Sequence, residues 1–424
     1  MRVWLVTVGE PLPTDGGSAR LFRTGMTANQ LLARGHDVVW WTSTFDHFTR
    51  QHRFDCDTAV VTDNGCKMWL LHGPGYRKSI SWARLRNHRY VAKSFERISP
   101  TEKVPDVILC SMPTIELSSS VTRYGSTHNV PVILDVRDLW PDIIVDQAPC
   151  GVRWLARAGL NYMFRRLTQA CHDATAITGI TDACVNWALE YARRPRKPLD
   201  QSFPLAYAAQ PPSGEDLERA RKLWYDRGVG RDPDEFTVCF FGPISRRYEL
   251  RDVVKAAGIV ERVHPKCRFV ICGKGEDLPK CKQLAESCGN VIFPGWVGAA
   301  EIWSLLRIAK IGLVPHPSTR DYTLSLPNKS IECLSGGLPI VTSLSGTLQR
   351  LLEQEHCGIC YPNGNFKELA RVICNLVNDP DRVRQMSANA SRVFQERFTE
   401  DKVYGEMCKY LTEVAALRVV DKAA

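Results

Sequence analysis

Long apolar runs are missing from this 424-residue sequence. No stretch of about 18 apolar residues occurs, so no segment is expected to cross a membrane as a helix. No secretory signal is recognisable. Met1 to Val8 is a short apolar run ended by Gly9 and Glu10, and reads as a first buried strand. Metal-ligand spacing is scarce as well. The sixteen cysteines are scattered, and Cys357-Gly358-Ile359-Cys360, beside His356, has no second ligand pair near it, so zinc is not expected. No obvious Asp-x-Asp stands near a strand end. Without export the thiols are expected to stay reduced and mostly buried, in a cytoplasmic protein. A full Gly-x-Gly-x-x-Gly is lacking too, and no acidic residue clearly ends the second strand. Both absences argue against a dinucleotide cofactor, and so against an NAD-dependent oxidoreductase. No cofactor and no metal are expected.

What is present is an ordinary soluble composition, 44% hydrophobic and 24% charged. The length suits two domains of about 200 residues each. A formal net charge of +9 fits contact with an anionic partner, or solubility alone. Strand and helix patterns alternate, which predicts α/β architecture. The first unit reads as strand Val3–Val8, a Pro- and Gly-rich loop, a helix over Ala19–Arg34 ended by Gly35, and strand Val38–Thr42, a Rossmann-like opening. Strands follow at Asp106–Cys110, Val130–Asp135 and Ala174–Ile180. Composition then turns basic and proline-broken from Arg193, as a domain link should. The pattern restarts with strand Phe236–Phe241, helix Leu250–Val263 and strand Arg268–Cys272. Strands Val291–Phe293, Ile311–Pro315 and Pro339–Ser343 follow. The expected organisation is an N-terminal domain over 1–200, a linker over 201–234 and a C-terminal domain over 235–400. A last helix, Asp401–Leu417, is expected to pack back on the first domain.

Several loops could carry chemistry. Gly16-Gly17 lies between the first strand and the first helix, where small residues admit a ligand and the helix start favours anions. Asp135-Val136-Arg137-Asp138-Leu139-Trp140-Pro141 leaves a strand at its C-terminal end, where open α/β sheets bind ligands. Either Asp135 or Asp138 could pair with Arg137 structurally; otherwise Asp138 is available to bind sugar or acceptor hydroxyls. In the second unit, Gly242 leads to Arg246 and Arg247, which could meet phosphate oxygens. Gly273-Lys274-Gly275 allows close backbone approach and adds a cation. Leu326-Pro327-Asn328-Lys329-Ser330 leads into a helix whose amides could face a diphosphate, and Glu332, one turn in, can accept from a ribose diol. Together these loops describe a nucleotide-diphosphate site.

The segments Gly295-Trp296-Val297, Ile311-Gly312-Leu313-Val314-Pro315, Pro327-Asn328-Lys329-Ser330-Ile331-Glu332 and Gly336-Gly337-Leu338-Pro339-Ile340-Val341 resemble the donor domain of family 4 glycosyltransferases. Gly16-Gly17, Arg34-Gly35-His36-Asp37-Val38 and Asp138-Leu139-Trp140-Pro141 are similar to the acceptor domain of that family, in the subgroup acting on bacterial surface polysaccharides. The resemblance implies a GT-B fold, two Rossmann-like domains facing each other across a cleft, and a retaining, metal-independent transfer from a nucleotide sugar. It implies that Glu332 holds the ribose, that the loop at Trp296 to Gly298, with Val297 in it, faces the base through its backbone, and that Arg246 and Lys329 neutralise the diphosphate. Asp138, Arg246 and Lys329 are then the expected catalytic residues. Gly16, Gly17, Arg247, Gly273, Lys274, Gly275, Leu326, Asn328 and Ser330 are expected around the donor. One departure is visible: the first glutamate of the family's Glu-x7-Glu signature falls on Leu324, which leaves the sugar undefined.

Two basic, aromatic segments, Tyr76 to Lys93 and Val152 to Arg166, fit an anionic membrane surface, or a solvated helix face. A lipid-linked or other glycan acceptor at the inner face of the cytoplasmic membrane would account for both. Nucleic acid is not expected, since no binding motif accompanies the charge. The rival readings are a GT-B-fold sugar-nucleotide 2-epimerase, for which no clear set of extra carboxylates and histidine is found, and a non-catalytic glycosyltransferase-like subunit, suggested by Leu324.

Overall fold

A computed structural model describes residues 1–16, 20–208 and 211–423. The chain divides into unit 1, Met1–Pro204 with Glu400–Ala424, and unit 2, Leu205–Thr399.

Unit 1 contains β1 (Arg2–Val6), α1 (Arg23–Ala33), β2 (Asp37–Ser43), β3 (Thr58–Val61), β4 (Lys67–Leu71), α2 (Trp82–Ile98), β5 (Val107–Met112), α3 (Ile115–His128), β6 (Val132–Val136), α4 (Asp142–Asp146), α5 (Arg153–Gly159), α6 (Asn161–Asp173), β7 (Ala176–Gly179), α7 (Asp182–Ala192) and β8 (Gln201–Ser202). Its sheet runs β3-β4-β2-β1-β5-β6-β7-β8. Neighbours are parallel except for β3 on β4. The central strands are continuous apolar runs because helices bury both faces. Trp4 and Trp41, fully buried on β1 and β2, meet with ring centroids 4.9 Å apart.

Unit 2 holds α8 (Gly214–Asp226), β9 (Phe236–Phe241), α9 (Leu250–Val263), β10 (Cys267–Cys272), α10 (Leu278–Ala285), β11 (Val291–Gly295), α11 (Ala299–Ile308), β12 (Ile311–Val314), α12 (Arg320–Leu324), α13 (Asn328–Ser335), β13 (Ile340–Thr342), α14 (Thr347–Gln354), β14 (Gly358–Cys360), α15 (Phe366–Val377) and α16 (Pro380–Arg397). Its all-parallel sheet has the order β11-β10-β9-β12-β13-β14. Strand alternation divides the core in two. Cys239 and Phe241 pack with Leu305 and Leu334, whereas Val238 and Phe240 pack with Val253 and Leu369. Helix α17 (Glu400–Ala423) returns to unit 1 and packs on α1. Both units are thus Rossmann-like α/β layers.

Two expectations need correction. The segment 201–234 is not a linker. Gln201 and Ser202 complete unit 1's sheet, and α8 is a packed helix of unit 2. Its Trp224 is fully buried, and the indole N–H donates to the Glu301 carbonyl at 3.0 Å. The prolines mark only the turn into that helix. The first helix begins at Arg23, so residues 20–22 stand before it, and Ala19 lies outside the described residues; the Arg23 side chain is buried and pairs with Asp135. Strands β3 and β4, which carry no strand expectation, form a half-exposed edge.

All sixteen cysteines are free; Cys56 and Cys150 are exposed and most others are buried. Among the described residues no helix is long and apolar enough to cross a membrane.

Candidate functional site

In unit 2 the chain switches direction across the sheet between β9 and β12, so the loops after those strands leave a crevice at the C-terminal edge. The loops after β9, β10 and β11 are knitted together. The Gly242 N–H donates to the Cys272 carbonyl at 3.0 Å, Ile244 N–H to Lys274 at 2.9 Å, and Gly273 N–H to Gly295 at 2.7 Å. Gly273 and Gly275 have φ of 143° and 157°. A Cβ on Gly273 would lie 1.8 Å from the Gly242 carbonyl oxygen, and one on Gly275 would lie 2.2 Å from that of Ile244. The expected reason for these glycines was approach of a ligand; the structure gives a different one, loop packed on loop. Gly242 has its own reason: a Cβ there would sit 2.2 Å from Lys329 Cε.

That vacancy admits Lys329, in the first turn of α13. Its ammonium donates to the Tyr248 hydroxyl at 2.7 Å. It lies 4.5 Å from the Tyr248 ring centre and 5.6 Å from that of Phe240. No carboxylate pairs with it among the described residues. Burial pushes its pKa down to about 8, so it remains charged at neutral pH but poorly compensated. Beside it His316 is 2% exposed. Its ring is 4.6 Å from that of Tyr248 and 4.2 Å from that of Tyr322. Neither ring nitrogen makes a well-formed hydrogen bond among the described residues, the Arg247 backbone being the polar group near enough to favour its charged form. Burial and the Lys329 charge push its pKa down to about 3. The Ser343 hydroxyl holds the loop by donating to the His316 carbonyl at 2.9 Å. The expectations contained neither Tyr248 nor His316. The only signal was a histidine between two prolines at the end of β12.

The other expected residues fall into two groups. Arg246, Arg247, Lys274, Asn328 and Trp296 are exposed, Trp296 at 70%. Arg246 lines a depression of about 620 Å³ that Tyr248 also lines. Glu332 is buried on α13, one turn from Lys329. Leu326 and Val297 belong to the hydrophobic core. Ser330 corrects the expectation that its amide is open to a ligand: its N–H (2.9 Å) and its hydroxyl both donate to the Pro327 carbonyl. The Gly298 N–H is likewise occupied, by Glu301 at 2.8 Å. Leu324 ends α12.

In unit 1, Asp135 is the carboxylate that pairs with Arg137 (2.9 Å), and it also receives Arg23 at 2.8 and 2.9 Å and the Thr178 hydroxyl at 2.9 Å. Burial would raise its pKa, but Arg23 and Arg137 outweigh that and hold it down at about 2. Arg137 also pairs with Glu10, which accepts the Thr24 N–H at 3.0 Å and its hydroxyl at 2.9 Å. Asp138 is exposed. Gly16 is exposed and a Cβ there would meet nothing within 4 Å, so packing does not demand glycine. Gly17 lies outside the described residues.

Residues 225–393 match the family model for glycosyl transferases group 1. This stretch covers β9 to most of α16, and with them the Lys329 crevice. Alpha-D-kanosaminyltransferase of Streptomyces kanamyceticus is 24% identical over 242 residues, 52% of this chain and 61% of its own length. The chain therefore spans less than two thirds of that relative. Sucrose-phosphate synthase from Thermosynechococcus elongatus superposes with a TM-score of 0.73 at 15% identity, over 98% of this chain and 99% of the other. Anabaena HepE in complex with UDP gives 0.62 at 14% identity, over 97% and 99%. These likenesses establish a GT-B-type fold.

Proposed function

We propose that the chain is a glycosyltransferase that takes its sugar from a nucleoside-diphosphate sugar. The observation that carries this reading is Lys329: a half-buried ammonium, with no carboxylate paired to it among the described residues, at the switch crevice of a Rossmann-like sheet. Cleaving the bond between the anomeric carbon and the diphosphate oxygen leaves negative charge on the diphosphate. A cation fixed by Tyr248 and the Phe240 ring stabilises that charge without reorganising. Arg246 and Arg247 add exposed cations, Glu332 accepts from the ribose diol, and the Trp296 loop covers the base. The donor domain match and the UDP held by HepE support the donor class.

The finer reading is a retaining, metal-independent transfer. The leaving phosphate takes the acceptor's proton on the face it vacates, and Asp138 binds the acceptor. The acceptor is a glycan, lipid-linked, in surface-polysaccharide synthesis. Trp82 and Tyr90 on α2 and Trp154 and Leu155 on α5 are exposed among Arg86, Arg89 and Arg153. Such faces support peripheral contact with an anionic membrane.

The test is a thermal-shift screen of nucleotide sugars on the purified chain, followed by transfer from the best donor to lipid-linked acceptors. Nucleotide release should require acceptor, and Lys329→Met should lower kcat/KM by about 10²-fold or more. Release without acceptor and with epimer formation, or full turnover by Lys329→Met, would sink the reading.

A further inference from the structure

At the C-terminal edge of unit 1's sheet, the loops after β2 and β4 and the start of α2 bring two arginines to one ring. Arg50 lies 5.2 Å and Arg84 5.5 Å from the centre of Tyr76. Both guanidiniums are half-buried, and each opposes the other's charge. Neither forms an ion pair with a carboxylate among the described residues. None of their hydrogen bonds goes to a carboxylate: Arg50 meets His47 Nδ1 at 3.1 Å and donates to the Ser79 hydroxyl at 2.8 Å, and Arg84 donates to the Ser79 carbonyl at 2.8 Å. Asp138 is the carboxylate whose field favours the charged Arg84. Arg50 itself is held at φ 61°, in the left-handed region where a side chain is unfavourable.

The support beneath Arg84 is unusual for what it leaves undone. Arg84 Nε–H donates to His88 Nε2 at 3.3 Å, so that nitrogen carries the lone pair and the ring proton sits on Nδ1. Among the described residues His88 Nδ1, buried 3.8 Å from Glu116 Oε2, has no hydrogen-bond partner, and neither has either buried Glu116 oxygen. Burial and Arg84 push the His88 pKa down to about 3, and burial pushes Glu116 up. His88 is therefore a neutral ring that orients Arg84 without cancelling its charge. The other face of Arg84 lies 4.5 Å from the Trp140 ring centre. Arg84 Nη2 makes no hydrogen bond among the described residues, and Arg50 also reaches the Tyr76 hydroxyl. Two oriented guanidiniums, neither ion-paired to a carboxylate among the described residues, make a receptor for a tetrahedral oxyanion, which arginine recognises through paired N–H groups.

We propose that Arg50 and Arg84 form a subsite for a phosphate or diphosphate group on the acceptor. Calling the ligand an acceptor rests on the glycosyl-transfer reading; the binding itself does not. The same chemistry serves a lipid diphosphate headgroup or a soluble phosphate ester.

The test is calorimetric titration at fixed ionic strength, with UDP already saturating, of inorganic pyrophosphate, geranyl diphosphate and, as a phosphate-free control, geraniol. The wild-type chain should bind at least one of the two diphosphates. Arg50→Gln with Arg84→Gln should weaken that binding by at least about tenfold. Arg50→Lys with Arg84→Lys keeps the charge but loses the paired N–H geometry, so it should bind more weakly than wild type and more tightly than the Gln variant, and UDP affinity should be equal in all three proteins. Equal UDP affinity rules out misfolding as the cause. Geranyl diphosphate binding far more tightly than pyrophosphate assigns the lipid headgroup, and equal binding assigns the phosphate alone; either supports the subsite. Diphosphate affinity unchanged in the Gln variant, no diphosphate binding by wild type, or geraniol binding as well as geranyl diphosphate overturns it. A wild-type chain that ignores UDP but binds diphosphate in this Arg-dependent way would sink the donor reading and leave the subsite standing.

Discussion

Arg23 and Arg137 at the end of β6 are wrapped by Asp135 and Glu10, whereas Lys329 beside the end of β9 meets a phenol and two rings. Both are cations at the C-terminal edge of a parallel sheet. The first set is compensated within the protein, and its charges join α1 to β6 and to the chain at Phe203 and Pro204, whose carbonyls accept from Arg23 at 2.8 and 2.9 Å. The second is left short of negative charge. The lesson is that a buried charge with its partners in place is architecture, and one without them awaits a ligand.

The contrast can be broken from either side. The largest effect is expected from Asp135→Ala, which strands the buried Arg23 and leaves Arg137 with Glu10 alone, and should cost about 3–5 kcal/mol in chemical unfolding; a loss under about 1 kcal/mol would remove the architectural role. Lys329→Met should do the opposite. It should abolish most turnover, by about 10²-fold, while stability at pH 7 stays equal or rises, because a lowered lysine pKa means that its charged form opposes folding. A marked drop in melting temperature would count against the comparison. The third test is pH. Free Lys329 loses its proton as pH rises through about 8, and a bound diphosphate would hold that proton on. UDP affinity should therefore fall by up to about tenfold per pH unit above 8 and not below it. Calorimetry in buffers of different ionisation enthalpy should show proton uptake, and Lys329→Met should flatten the slope. The smallest effect is for Glu332→Gln, about 1–2 kcal/mol in UDP affinity. That loss should shrink when 2′-deoxy-UDP is the ligand; an equal loss with both would take Glu332 off the ribose.

Much of unit 2 was legible. Phe236–Phe241 and Leu250–Val263 are expected and observed with the same ends, because strands buried on both faces and strongly one-sided helices write their periods plainly. The edge of unit 1 was not. Strands β3 and β4 are short and half-exposed, and α8 hides behind prolines that mimic a linker. At the crevice the motif exposed Lys329 and Glu332. It could not show why Gly273 and Gly275 are glycines, since the atoms they avoid belong to the β9 loop, some thirty residues earlier. Nor could local pattern reveal Tyr248 or His316, which owe their importance to a neighbour on α13, or choose between Asp135 and Asp138 for Arg137.

The free thiols offer a clock for local opening. Cys239, Cys272 and Cys333 sit in the core of unit 2, with burial pushing Cys272 and Cys333 up to about 12 and Cys239 well above the usual thiol range. An alkylating reagent should reach them only when that core opens. Cys56 and Cys150 on unit 1 stand exposed from the start and should react at once. Peptide-resolved alkylation of the unmodified chain would therefore time the opening of the unit 2 core against an internal standard, with and without UDP.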